Sequence, residues 1–371
     1  MTPNTAARNE SLFMAMELSN KNWKLAFSNG EKSRYINVIG GDQKGLRLAI
    51  ERAKVKLGLP ADCPVYSCYE SGRDSFWIHR LLTGMGVQNV VVDPASIEVN
   101  RRRRQLKTDR LDAERLVGML MRYVLHNEKK LWKVVVVLTE AQEDERRVHR
   151  EVERIKKEHG SHINRIRSLL ILHGIRPRKI AATDNSHVRD WQGKPLSPSL
   201  AEEIRREQAR LDLLDKQMKT LSEKEWSAVE HPVTICDHKA AKLFTLKALG
   251  PRSASVLARE MFGWRTFKNR REVGALSGLT GTAYSSGDST VEQGISKAGN
   301  KRVRYTMIEL AWMWIRHQRD SELAKWYMRR FGTGNKRLRR IGIVALARKL
   351  LVALWKYVEF NEVPAGAIVK A

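Results

Sequence analysis

Four carboxylates in the first third of the chain have the type and spacing for phosphoryl chemistry. Glu17 follows the apolar run LFMAM and Glu70 closes VYSCYE, so each would end a strand. Asp109 and Asp112 lie three apart in KTDRLDAERL, on one face if that segment is helical. If the two strands are neighbours, their terminal acids converge at one sheet edge, and the helix can bring its pair there. Clustered carboxylates repel one another unless a cation sits among them. An all-oxygen donor set suits Mg2+ or Mn2+, and two such ions can clamp the attacking and leaving oxygens of a phosphodiester. The competing reading is that these are four surface acids that never meet.

The elements that must position these acids read as mixed α/β. Residues 11–18, 23–28 and 34–39 are short strands, followed by a helix over 44–57, a strand over 64–69, a helix over 73–83, a strand over 88–92 and a helix over about 109–123. A strand trio followed by alternating units predicts one mixed sheet covered by helices. Thr139 and Gln142 have capping-box spacing, and Val148, Val152, Ile155, Ile163, Ile166 and Leu170 then recur at helical intervals until Gly174 and Pro177. Ser197-Pro198 starts a second amphipathic helix to about residue 229. Two long helices joined by a loop predict an antiparallel coiled-coil arm, or else a helical linker packed on its own domain. Residues 239–357 read as mostly α, with LKALGPRSASVLAREM (246–261) as a helix, a Gly-Pro hairpin able to receive a phosphate on its N–H groups, and a second helix. The predicted domains are residues 1–128, 129–235 and 236–371.

Charge names a partner class. Lys and Arg number 68 against 41 Asp and Glu, a formal net charge of +27. Such an excess calls for a polyanion, and nucleic acid binding of this kind weakens with salt. Residues 296–350 hold fifteen Lys/Arg and three acids, Glu309, Asp320 and Glu322. Trp312, Trp314, Trp326 and Tyr327 are interleaved there, to stack on bases or to fill a core. No apolar run reaches the roughly 18–20 residues that span a bilayer, and no signal-type core opens the chain. Three scattered cysteines build neither a disulfide framework nor a zinc site. A cytoplasmic, nucleoid-associated protein is expected.

A resemblance sharpens the chemistry. FMAMELSNKNWKLAF, YESGRDSFWIHRLL, KTDRLDAERL, LKALGPRSASVLARE, FKNRREVGALSGLTGTAYSSGDS and GISKAGNKRVRYTMIELA occur in the order seen in one transposase family. The chain resembles the DEDD-type insertion-sequence one-hundred-ten family with its eleven-eleven sister group, over residues 11 to 330. The resemblance implies a RuvC-type, ribonuclease-H-like first domain whose metal-binding acids map to Glu17, Glu70, Asp109 and Asp112. The first position is Asp in the family, so Glu17 departs from it by one methylene. It implies a serine-bearing transposase domain at the C-terminal end, with the nucleophile at Ser286 and Ser285 one alignment step away. It also implies composite sites in a dimer or tetramer, and guidance to donor and target DNA by a structured bridge RNA encoded by the element.

The expected activity is therefore that of a recombinase that cuts and rejoins insertion-sequence ends and target DNA through a phosphoserine. Lys297, Lys301, Arg302 and Arg304 would hold nearby phosphates, or be general solvated charge. A hydrolytic junction nuclease using the acids alone, and a non-catalytic nucleic-acid binder, are the competing functions. His159 and His162 are expected to be solvated helix residues and not ligands. Ser71, Gly72 and Arg73 would shape the acidic corner or form a plain turn. GTGNKR (332–337) is read as a basic turn, since it matches only the tail of a P-loop.

Overall fold

A computed structural model describes residues 10–97, 109–177, 188–286 and 289–370, with backbone alone at 109–110, 283–286 and 289–293. It divides into two compact units, residues 1–139 and 140–371.

The first unit is a five-stranded mixed sheet. Its elements are β1 (Leu12–Glu17), β2 (Asn22–Ser28), β3 (Ser33–Ile39), α1 (Gln43–Lys56), β4 (Val65–Glu70), α2 (Ser75–Gly84), β5 (Gln88–Val92) and α3 (Asp109–Leu125). The strand order is β3-β2-β1-β4-β5. β1 runs antiparallel to β2 and parallel to β4, and β4 runs parallel to β5. Successive side chains of a strand face opposite ways, and β1 uses both sides. Leu12, Met14 and Met16 join Leu46 and Ile50 of α1 and Ile78 and Leu82 of α2 in one core. Phe13 and Ala15 join Ala113, Leu116 and Leu120 of α3 in another. Burial on both faces is why β1 reads as an unbroken apolar run instead of an alternation. Edge strand β3 alternates poorly because most of it is exposed.

The second unit contains α4 (Glu140–Asp144), α5 (Arg147–Ile171), α6 (Pro198–Glu230), α7 (Ile235–Phe244), α8 (Pro251–Leu257), α9 (Arg270–Ser277), β6 (Gly281–Ser286), β7 (Ser289–Ile295), α10 (Lys301–His317), α11 (Glu322–Phe331) and α12 (Lys336–Phe360). α8 continues into a π-helical turn, Ala258–Phe262. α5 and α6 pack antiparallel: Ile166 and Leu170 meet Leu200 and Ile204 at one end, and Val152 and Ile155 meet Leu214 and Leu221 toward the other. α6 then enters the C-terminal core through Val229, and its Trp226 sits edge-on against Phe244. α12 supplies Leu346, Leu350 and Leu354 to that core, against Trp314 and Met307 of α10 and Leu257 of α8. Gln318, fully buried, donates to the carbonyls of Lys247 (2.7 Å) and Ile368 (3.0 Å) and accepts from the Ile368 amide (2.7 Å).

Several expectations are corrected. The predicted helix after Thr139 is interrupted at Glu145–Arg146, giving the short α4 before α5. Residues 246–249 are not helical; Leu246 bridges to Val369 and Ala248 takes φ 88°, so the helix ahead of Gly250 ends at Phe244. The Gly250 amide is already bonded to Ser253 Oγ (3.1 Å). The C-terminal part is mostly helical but includes the β6–β7 hairpin. His159 and His162 are half-buried on the α5–α6 seam, where they contact Asp215 (3.3 Å) and Glu207 (2.6 Å). Trp314 and Tyr327 are buried core, whereas Trp312 remains 41% exposed.

A buried polar cluster joins α5, the π-turn and α10. Glu260, 1% exposed, accepts from His149 Nε2 (2.8 Å), from Arg150 Nε and Nη2 (2.8 and 3.1 Å) and from Asn300 Nδ2 (2.9 Å). Burial pushes this carboxyl up, but the hydrogen bonds from His149 and Arg150, the Arg150 charge and the Asn300 bond outweigh it and hold it below the ordinary carboxylate range. Burial pulls His149 below its ordinary 6.5 despite Glu260, so it stays neutral and donates through Nε2. Below pH 6.5 the unfolded chain then takes up a proton that the folded chain refuses, and stability falls as pH falls. One such group contributes a slope of at most about 1.4 kcal/mol per pH unit. His149→Gln, which keeps a neutral donor, is expected to flatten the loss of denaturant midpoint between pH 6.5 and 5; an unchanged slope would remove His149 as its source.

Candidate active site

Glu17 and Glu70 are the last residues of parallel neighbours. The register Met16↔Tyr69 places them at the same level, one residue on, at the carboxyl ends of β1 and β4. Open α/β sheets bind ligands at that end of their strands. Both residues are half-buried. The turn beyond Glu70 is tightly fixed. Ser71 N donates to Val92 O (2.7 Å), Ser75 Oγ donates to Gly72 O (2.7 Å), and the Tyr69 hydroxyl donates to Ser75 O. Arg73 donates to Asn20 Oδ1, tying this turn to the one that follows β1. Ser71, Gly72 and Arg73 thus form a braced turn beside the acid pair.

Asp112 lies half-buried in the first turn of α3. Ala113 and Leu116 of that helix lie against Phe13, Ala15 and Cys68, and the Cys68 thiol reaches Leu116 O at 3.7 Å. Asp109 opens α3, and its side chain lies outside the described residues. Among the described residues no three His, Cys, Asp or Glu side chains form a group able to hold a metal. The pair that the sheet does bring together, Glu17 and Glu70, is an all-oxygen donor set of the kind that suits a hard divalent cation.

In the second unit Ser286 and Ser289 form the last register pair of β6 and β7, with Ser285 opposite Thr290. Ser286 therefore ends β6 at the hairpin turn; the side chains of Ser285 and Ser286 lie outside the described set. The root of this hairpin is built by the GISKAGN segment. Gly278 adopts φ 65°, and a Cβ there would fall 1.9 Å from Ala298 O; a Cβ on Gly299 (φ 89°) would fall 2.2 Å from Leu276 O. Only glycine fits two backbones this close. Ser296 N donates to Thr280 O (2.8 Å) and Asn300 N to Leu276 O (2.7 Å). Asn300 Oδ1 caps α10 through Arg302 N (2.9 Å) while its amide donates to Glu260.

The four basic residues of this segment separate into two kinds. Arg304 donates to the carbonyls of Ser277 (3.1 Å) and Lys297 (2.9 Å), clamping the hairpin root. Arg302 pairs with Glu153 of α5 (2.5 Å). Lys297, at φ 55°, and Lys301 are exposed and have no carboxylate partner among the described residues. Sequence reasoning missed His149, Arg150 and Glu260. The available signal was an acid inside the apolar run SVLAREMF, but its partners lie 111, 110 and 40 positions away.

Known proteins bear directly on these two units. Residues 240–329 match the family described as transposase IS116/IS110/IS902. The chain is 39% identical to y4rJ of Sinorhizobium fredii, named as a transposase, over 97% of its own length and 95% of that relative. It is 25% identical to the transposase for insertion sequence element IS1328 of Yersinia enterocolitica, over 84% of this chain and 88% of the other. A third relative, y4qE of the same Sinorhizobium and also named as a transposase, is 27% identical over 76% of this chain and 66% of its own. The family match contains the entire hairpin, its glycine root and α10, while the similarity to y4rJ runs over nearly the whole chain and so includes the sheet with its acid pair, and the chain belongs to the IS116/IS110/IS902 transposase family.

Proposed function

We propose that this transposase cuts and rejoins DNA at insertion-sequence ends and target sites through a covalent phosphoserine at Ser286. The placement of Glu17 and Glu70 at one level on the carboxyl ends of neighbouring parallel strands carries the reading. The strand order β3-β2-β1-β4-β5 supports a ribonuclease-H-like assignment for the first unit. In this reading Glu17, Glu70, Asp109 and Asp112 hold Mg2+ or Mn2+, with Glu17 supplying its oxygen one methylene farther out than aspartate would. When bound, the cation stabilises charge on the attacking and leaving oxygens.

A serine hydroxyl is a poor nucleophile until it is activated. Ser286 gives up its proton, Oγ bonds to phosphorus, the P–O bond to the departing strand breaks, and the departing oxygen takes a proton to become a free hydroxyl. The phosphoserine retains the phosphodiester's free energy. A hydroxyl of the incoming strand can then attack it and restore the serine without ATP. The braced hairpin root keeps Ser286 in place, and orientation is a large share of such rate enhancement. Exposed Lys297 and Lys301 are suited to hold the backbone of the strand being cut. The reading extends to a homo-oligomer and a structured guide RNA, which the strongly basic chain would grip by shape and phosphate.

Denaturing electrophoresis of the wild type with element-end DNA is expected to show a protein–DNA adduct that Ser286→Ala abolishes and Ser285→Ala retains. Recombination by Ser286→Ala at the wild-type rate would instead favour the hydrolytic nuclease, which needs only the acids. Glu70→Gln should abolish cleavage while leaving DNA affinity unchanged. Gly299→Ala is expected to slow joining by about 10²-fold through displacement of the hairpin root; a wild-type rate would show that the root does not set the position of the serine.

A further inference from the structure

α11 and α12 meet across a four-residue turn, residues 332–335, in which Asn335 Oδ1 caps α12 through Leu338 N (2.9 Å). The two helices touch at Gly342. A Cβ there would lie 2.4 Å from Cγ of Phe331, so the α12 backbone rests directly on that ring. From this point onward α12 is core, through Ile343, Leu346, Ala347 and Leu350. Before it, all six residues 336–341 are exposed around the whole circumference. The helix therefore presents an exposed end about 9 Å long, at ~1.5 Å per residue, steadied by the Tyr327 hydroxyl on the Arg339 carbonyl (3.4 Å) and by Leu338 against Gly334.

This end is cationic. Lys336, Arg337, Arg339 and Arg340 lie on it, and Arg329 and Arg330 end the helix before it. No Asp or Glu occurs between Glu322 and Glu359. None of these six cations forms an ion pair among the described residues. Lys336, Arg337 and Arg340 share one side with Ile341 and Val344, and these five line a concavity of about 520 Å³. Positive side chains crowd the positive end of the helix macrodipole, where they oppose folding. Charge placed against the interest of the fold is explained by a partner of opposite sign.

The geometry points to double-stranded DNA as that partner, with the exposed end of α12 seated in the major groove and Lys336, Arg337 and Arg340 on flanking phosphates. The B-form major groove, about 12 Å wide, admits an α-helix, whereas the A-form groove of duplex RNA is too narrow and deep for it. Two helices joined by a short glycine-containing turn, the second entering the groove, is a recurrent way to present such an end. Ile341, 54% exposed, is placed for apolar contact with thymine methyl groups. The inference rests on the chain acting on DNA, and it does not depend on the serine chemistry.

The test uses nuclease-treated full-length protein and a random-sequence DNA duplex, with affinity measured across a salt series. Each lost phosphate contact lowers the slope of log K against log salt by about 0.9. The triple variant K336A/R337A/R340A is expected to lose about 2–3 in slope and at least about tenfold in affinity. K44A/R47A/R52A removes the same charge from exposed positions of α1 and should change the slope by less than about one. An unchanged slope in the first triple, or an equal loss in both, would overturn the proposal. So would a duplex RNA of the same sequence that suffers the same loss. Ser286→Ala keeps wild-type affinity and slope under this proposal, so failure of the covalent adduct and failure of the docking surface are read separately.

Discussion

A carboxylate taken out of water survives as an anion only where its charge is answered at close range, and Glu260 is answered from three sides. Its partners come from α5 and from the first residue before α10, so one buried charge fixes the relation of three segments remote in sequence. Asn300 carries this relation onward. Its amide faces Glu260 while its carbonyl caps α10, and its backbone amide closes on Leu276. The glycine root of the β6–β7 hairpin follows directly. The position of Ser286 is thus tied, through backbone contacts too close for any side chain, to a charge in the interior. A π-turn at Ala258–Phe262 is the local irregularity that places Glu260 in that spot, and such turns are frequent at functional sites.

The first unit solves a different problem by different means. Its acid pair is positioned by register alone. Two parallel strands, β1 apolar throughout its body and β4 broken only by Ser67, must both be covered, and the side-chain alternation of β1 assigns Met14 and Met16 to one helical layer and Phe13 and Ala15 to the other. Once that assignment is made, Glu17 and Glu70 have to emerge together where the apolar runs stop. The polar ends cannot slip by one residue without turning the whole of β1 over.

This contrast explains what could be read from residues alone. The elements of the first unit fall within a residue or two of their sequence-based bounds, because apolar runs and turn residues mark them locally. Glu17 and Glu70 are visible for the same reason, as charges that end apolar runs, whereas Asp109 and Asp112 are read from their spacing of three in KTDRLDAERL. The β6–β7 hairpin escapes because GTAYSSGDSTVEQGI has few large apolar residues to show a period of two. The role proposed for Ser286 in it rests on resemblance of motifs. The helix expected over 246–249 is replaced by a turn because Leu246 pairs with Val369, a contact more than a hundred residues distant. Arg302 and Arg304 look like phosphate contacts in a basic string, yet the folded chain engages one with Glu153 and the other with two carbonyls. Charge count cannot distinguish a cation that faces solvent from one that holds a loop.

The threading of α12 through the second core also dictates a timetable. Leu346, Leu350 and Leu354 fill space between helices that begin as far back as Ile235. While the ribosome is still short of residue 360, α7, α8 and α10 expose an apolar trough with no lid. The sheet unit, by contrast, is complete in sequence by residue 139 and can close while the remainder is being made. A nascent chain would therefore carry one finished unit and one open unit for more than half of its synthesis, which makes the second unit the place where chaperones would engage.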